Sequence, residues 1–349
     1  MQVQLNARSA FDPGAAALPV FFSASEVPAS FSASAPTLAA FSAAGAARPF
    51  QAAGFLGSVT GFPAVGEGIY HSGSLDLNQR MWHGVLFRAN YTFAKNIDNA
   101  TNELFSSLVN PRRPEDGNHM ELERGRSVLD IRHKVAVSFM YEVPKYNGSG
   151  FLKPFLNGWQ LGGTWIIQSG QPVTARSGLD ANGNKDSAGD RAIFNPKGTA
   201  NIGTATNFVC RDPGTGASSI AGSATACGGA ANVVGYVAID PNARYVQARP
   251  GAKTNIGRDT LDSPGLNNWN LSFFKNTNVT ERVYVQFRAE LFNAFNHRQF
   301  SFANSGVLGL KGDAIDAEDY SLVTSSQFLD PKQLNGGARS IQLGLKLFF

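Results

Sequence analysis

The feature that most restricts this chain is a strict two-residue alternation of apolar and polar side chains that recurs from segment to segment. A strand turns successive side chains to opposite faces, whereas a helix repeats every 3.6 residues, so runs of this kind specify two-faced strands. In 85–93, Val85, Phe87, Ala89, Tyr91 and Phe93 share one face, and Arg88, Asn90 and Thr92 the other. The same rule separates Val135, Val137, Phe139, Tyr141 and Val143 from Arg132, Lys134, Ser138 and Glu142, and Trp159, Leu161, Trp165 and Ile167 from Gln160, Thr164 and Gln168. Trp269, Leu271 and Phe273 alternate with Asn270 and Ser272; Val283, Val285, Phe287, Ala289 and Leu291 alternate with Gln286, Arg288 and Glu290. The chain closes with Ile341, Leu343, Leu345, Leu347 and Phe349 against Ser340, Gln342 and Lys346. Leu75 and Leu77 among Ser74, Asp76, Asn78 and Arg80 give a seventh strand, and Val3-Leu5-Ala7 a weak eighth. The expected fold class is all-β, an antiparallel up-and-down meander of seven or eight strands.

Any antiparallel sheet with one wet face alternates in this way, so the connections must decide what the apolar face meets. They run long, short, long, short: about 11–68, then Trp82-His83-Gly84, 95–130, 144–157, 169–266, 277–280 and 296–337. Every long loop falls on one end of the sheet. Loops beyond about 15 residues are uncommon in compact soluble domains, whereas transmembrane barrels pair short periplasmic turns with long extracellular loops. Strands of about ten residues are long enough to cross a bilayer when tilted. Tyr141, Trp159, Trp269 and Phe348-Phe349 stand where an interfacial aromatic girdle is needed. The meander is therefore expected to be part of an outer-membrane β-barrel in a Gram-negative bacterium. Outer-membrane lipid covers its apolar face in that arrangement, and Arg88, Arg132, Lys134, Arg288 and Glu290 look into the lumen.

Composition agrees. Charged residues are 16% of the 349, below the roughly 25% of an average globular chain, while Gly at 37 and Phe at 26 are abundant. Thirty Lys and Arg against 26 Asp and Glu are interspersed, which is not the clustered footprint of a nucleic-acid binder. No apolar run approaches the roughly 18 residues of a membrane-spanning helix, and Met1–Asn6 has neither the basic nor the apolar region of a secretory signal. Cys210 and Cys227 share one Gly/Ala/Ser-rich stretch and are expected to form a loop disulfide in an oxidising compartment, the alternative being two unpaired thiols. Residues 1–66, rich in Ala, Ser and Phe, are expected to be one weak strand and a long loop ahead of a partial barrel over 67–349.

Particular strings resemble the C-terminal barrel of Oar-like TonB-dependent transporters. They are Tyr91-Thr92-Phe93-Ala94-Lys95-Asn96-Ile97-Asp98-Asn99, Asp130-Ile131-Arg132-His133-Lys134, Asn157-Gly158-Trp159-Gln160-Leu161 with Gln168-Ser169-Gly170-Gln171-Pro172, Asn268–Asn276 and Phe287–His297. The resemblance covers about 69–349 in the family's order. It implies a barrel of roughly 22 strands, an N-terminal plug and a segment that engages TonB in the periplasm. None of the last two is recognisable here, so the chain is expected to be a C-terminal fragment of such a transporter. It would meet the TonB system only through parts outside it. Gln342-x-Gly344-x-x-Leu347-x-Phe349 is similar to the signal read by the barrel-assembly machinery.

A catalytic constellation is not found, and an enzyme is not expected. No serine has glycines at both i−2 and i+2, and His71, His83, His119, His133 and His297 contain no i, i+4 pair of the metalloprotease kind. Asp180, Asn182, Asn184 and Asp186 alternate oxygen side chains as a calcium loop does, with Asp190 able to add another. Lys185, however, takes the place of the sixth-position glycine and Arg191 that of the bidentate acid, so a solvated turn and no metal or other cofactor are expected. The transported substrate is not legible. The alternative is a secreted β-rich adhesin or ligand-binding module whose apolar strand faces close into a dry sandwich.

Overall fold

The computed structural model describes residues 3–5, 17–46, 50–55, 59–100, 114–148, 150, 152–187, 189–280, 282–298, 320–331 and 337–349. Seven long strands form one antiparallel wall: β1 (Gly68–Trp82), β2 (Val85–Asp98), β3 (His133–Glu142), β4 (Trp159–Gln168), β5 (Leu266–Asn278), β6 (Tyr284–Phe292) and β7 (Ser340–Phe348). Each pairs with its neighbour in the chain, and the short strand Gly125–Arg126 adds to the far end of β2. The sheet ends at β1 and β7, which are not hydrogen-bonded to each other. The weak eighth strand does not join the wall: Val3 and Gln4 pair with Gly61 and Thr60 instead, and Ala7 lies outside the described residues.

The β1–β2 link has the two-residue form that matches strand twist. His83 and Gly84 both have positive φ, 50° and 82°, as a type I′ turn requires. A Cβ on Gly84 would also stand 2.6 Å from the Glu142 carbonyl oxygen, so glycine is demanded twice.

Register turns the alternation of separate strands into two continuous faces. Leu77, Ala89, Val137, Trp165 and Trp269 form one lateral row, and Phe87, Phe139, Gly163, Leu271, Leu291 and Ile341 the next. A slip of one residue in any pair would move a whole strand's apolar set to the other side. Among the described residues this apolar face is not packed against a second sheet: Leu75 and Leu345 are each 73% exposed. The dry sandwich of the secreted alternative is therefore absent from the wall. The outward positions turn polar at Lys95 and Asn267 toward the long loops and at Lys275 toward the short turns. Asn267 and Lys275 bracket a band of roughly 20–26 Å, allowing for tilt, close to the apolar height of an outer-membrane barrel. Phe348 departs from the expected girdle, because it shares the face of Lys346 and stacks on Tyr284 at 4.4 Å.

The buried core lies in the long loops, which the alternation marks only as connections. One cluster joins Leu18 and Phe41 to Ile193, Val233, Tyr236 and Val246; another joins Ala175, Ala192 and Tyr245 to Val323 and Phe328. Segments before the wall, between β4 and β5 and between β6 and β7 thus fold into one body. Residues 17–46 belong to it, with Val20–Phe21 lying parallel to Val233–Ala238, instead of forming a separate loop. Every residue of Val233–Ala238 is buried, so no alternation betrays it.

Cys210 and Cys227 are joined as a disulfide, closing a loop across this body. Cys210→Ser is expected to lower the loop body's stability by about 3 kcal/mol. The effect is read as earlier proteolysis within 206–238 in rising denaturant, while the wall keeps its transition in detergent.

Candidate functional site at the polar sheet face and the long-loop end

The second face of the wall is polar across its width. Asn78, Arg88, Ser138, Thr164 and Asn270 stand in one row; Met140, Gly162, Ser272, Glu290 and Gln342 stand in another. Arg88 is exposed and lies 3.6 Å from Asp76. Lys134 stands between Thr92 and Gln168, and Arg288 lies 5.4 Å over the Phe274 ring. The sequence-expected residues Arg88, Lys134, Arg288 and Glu290 therefore share one surface. Arg132 does not join them. It precedes β3 and donates to Asp130 at 3.1 Å, at the rim. His133, the first residue of β3, lies 2.9 Å from the Tyr91 hydroxyl.

Two charge networks fasten the loop body to that rim. In the first, Asp130 accepts from the Asn96 N–H of β2 at 2.7 Å, from Arg126 at 3.0 Å and from Arg132, while Arg126 also reaches Asp262 at 2.8 Å. Burial works against the Asp130 carboxylate, yet the Asn96 N–H and the two guanidiniums hold it below the usual carboxylate range. In the second, Arg258 donates to the Glu123 carbonyl at 3.0 Å and to Asp98 at the end of β2, and pairs with Asp259 at 3.1 Å. Arg191 meets Glu123 at 2.5 Å and Glu115 at 3.5 Å, and Thr254 donates to Glu115 at 2.7 Å. Burial raises the Glu115 carboxyl in spite of Arg191. Arg126, Asp130 and Arg132 are close in sequence, and the charges at Glu115, Glu123 and Arg126 suggest charge-paired loop structure, but Arg191, Arg258 and Asp262 come from a distant segment and nothing in the sequence marks which partners they will meet. Arg112 and Arg113, which stand beside Glu115-Asp116 in the sequence as candidate charge partners, lie outside the described residues.

Residues 180–190 are not the solvated turn their composition suggests. Asn182, Asn184, Asp186 and Asp190 are all buried. Asn182 and Asn184 donate their amides to the Glu115 carbonyl, the latter at 2.8 Å. Burial, then the charges of Glu115 and Asp180, push Asp190 well above its ordinary value, and burial raises Asp180. Among the described residues no three His, Cys, Asp or Glu side chains are grouped to hold a metal by themselves.

The expected assembly residues lie on the edge strand β7. Gln342 and Gly344 face Glu290 and Arg288, Leu347 stands on the apolar face, and Phe349 follows the strand 97% exposed. A family model described as an outer membrane beta barrel domain matches residues 4–342. No curated protein matches the chain.

Proposed function

The chain belongs to the outer membrane beta barrel domain family and so is a component of the Gram-negative outer membrane, and from that premise we propose that it is barrel wall of a TonB-dependent transporter or receptor, passing its substrate without transforming it. The observation that carries this reading is a charged inner face continuous with a rim to which a folded loop body is fastened by buried ion pairs. A passive pore needs only the first of these. Loops with their own core and a disulfide suit a receptor that must hold a substrate before admitting it.

In this reading lipid covers the outward face, and the barrel-assembly machinery recognises Gln342, Gly344, Leu347 and Phe349. TonB acts on parts of the receptor other than this wall. The test is uptake of labelled siderophore, oligosaccharide and peptide by source cells with and without the gene, before and after the proton gradient is collapsed. Loss of the gene is expected to abolish uptake of one class, and collapse of the gradient to do the same in intact cells. Uptake indifferent to the gradient, or to the gene, would sink the proposal.

A further inference from the structure

From Asp180 to Asp186 the side-chain oxygens accept backbone N–H groups of the same turn, while the Asn182 and Asn184 amide nitrogens are used elsewhere. One Asp180 oxygen accepts the Lys185 N–H at 2.9 Å and is also bonded by the Gly183 and Asn184 backbone. Asn182 Oδ1 accepts the Asn184 N–H at 2.9 Å, and Asn184 Oδ1 accepts the Asp186 N–H at 2.8 Å. Because both amide nitrogens go to the Glu115 carbonyl, the amide oxygens are fixed toward the loop. First, third and fifth positions thereby present oxygens as in a 12-residue calcium loop, whose sixth residue makes the sharp turn. Lys185 holds that sixth position at φ 72°, the left-handed conformation for which such loops keep glycine. The departure in sequence is thus not a departure in backbone.

Loop shape alone would not specify a ligand; two orphaned oxygens do. Asp190 is fully buried, with Oδ1 accepting the Ala181 N–H at 3.2 Å and Oδ2 without any hydrogen-bond partner. Asp180 Oδ1 is likewise buried and unpartnered. Among the described residues no ion pair reaches either carboxylate, and Arg191 is turned away onto Glu123 and Glu115. The Asp180 charge acts on Asp190, and carboxylate oxygens buried without a partner are costly when ionised unless a cation neutralises them.

We infer that residues 180–190 bind a calcium ion through Asp180 and Asp190, completed by the Asn182 and Asn184 side-chain oxygens and the Asp186 backbone carbonyl. Calcium accepts such irregular sets of six to eight oxygens, amide and backbone oxygens included, whereas magnesium demands a near-octahedral shell and keeps its waters. The ion would order the loop body from inside, whatever passes along the wall.

The experiment is calorimetric titration of CaCl2 into the EGTA-treated full chain in detergent, with MgCl2 as control. One saturable calcium site is expected, with affinity on the order of 10⁻⁴–10⁻³ M as in extracellular modules, and no comparable magnesium response. Asp190→Asn and Asp180→Asn are each expected to weaken it at least about tenfold, the loss of a charged ligand from a site tuned by ligand charge. Lys185→Gly is expected to tighten it, because it removes a positive charge and the cost of a side chain in a left-handed turn. No saturable binding at millimolar calcium, binding unchanged in Asp190→Asn, or Lys185→Gly that leaves affinity unchanged or lowers it would each overturn the assignment. The glycine variant keeps the test decisive if the asparagine variants misfold.

Discussion

Val137→Arg is expected to destabilise the wall by about 2–4 kcal/mol, whereas Ala136→Arg, one residue away, costs under about 1 kcal/mol. Val137 lies mid-strand on the apolar face between Ala89 and Trp165; Ala136 faces the other way, opposite Asn90 and Ile166. An arginine at the first position must enter hydrocarbon, and at the second it enters a wet interior. A soluble core would also resent the first substitution, so depth supplies the discriminating arm. Thr277→Arg stands on the same apolar face, next beyond Lys275 toward the turn. It should cost about 0–1 kcal/mol, since the penalty fades toward the interface. Lys275 already shows how: its ammonium donates to the Pro154 carbonyl at 2.6 Å and lies 5.7 Å from the Trp159 ring. The three variants are compared by reversible urea unfolding in lipid vesicles. Equal losses at Val137 and Thr277 would contradict a bilayer around the wall.

What the alternation shows and what it hides have the same physical origin. A strand between lipid and water must alternate, so Val85–Phe93 announces itself, and register then follows because one face must stay apolar across every neighbour. β1 is legible only around Leu75 and Leu77, although it runs from Gly68 to Trp82, because His71 and Gly73 occupy outward positions there. His71 faces Lys95, where the strands leave the apolar band. The loop body follows a different rule: its strands are two to six residues long, its central strand Val233–Ala238 is buried on both sides, and its core is assembled from segments as distant as Leu18 and Ala252. No local period records such contacts. The same holds for the site. Arg88, Arg288 and Glu290 are placed by parity alone, while Arg132 lies just outside its strand, where parity no longer governs and Asp130 captures it. The Asp180 segment shows its oxygens in sequence but not their burial, which depends on Glu115 arriving from another loop.

Arg258→Met is expected to cost the loop body about 3–5 kcal/mol, because it strips the cation from carboxylates that remain buried. Asp98 and Asp259 are both buried, and each is held by this guanidinium, whose Nε also binds the Glu123 carbonyl. The loss should be local. Strand pairing in the wall does not depend on Arg258, whereas this guanidinium ties Asp98 at the end of β2 and Glu123 in the β2–β3 connection to the segment after β4. Limited proteolysis should therefore cut between β4 and β5 while the wall resists heat in detergent as before. Arg258→Lys keeps the charge but not the planar fork that serves three partners at once, and should recover only part of the loss. Asp98→Asn in the Met background should recover more than it costs alone, since it removes a buried charge that has lost its guanidinium. If Arg258→Met left loop proteolysis unchanged, the ion pairs would be ornaments of the rim, and the coupling of loop body to wall on which the receptor reading rests would have to reside elsewhere.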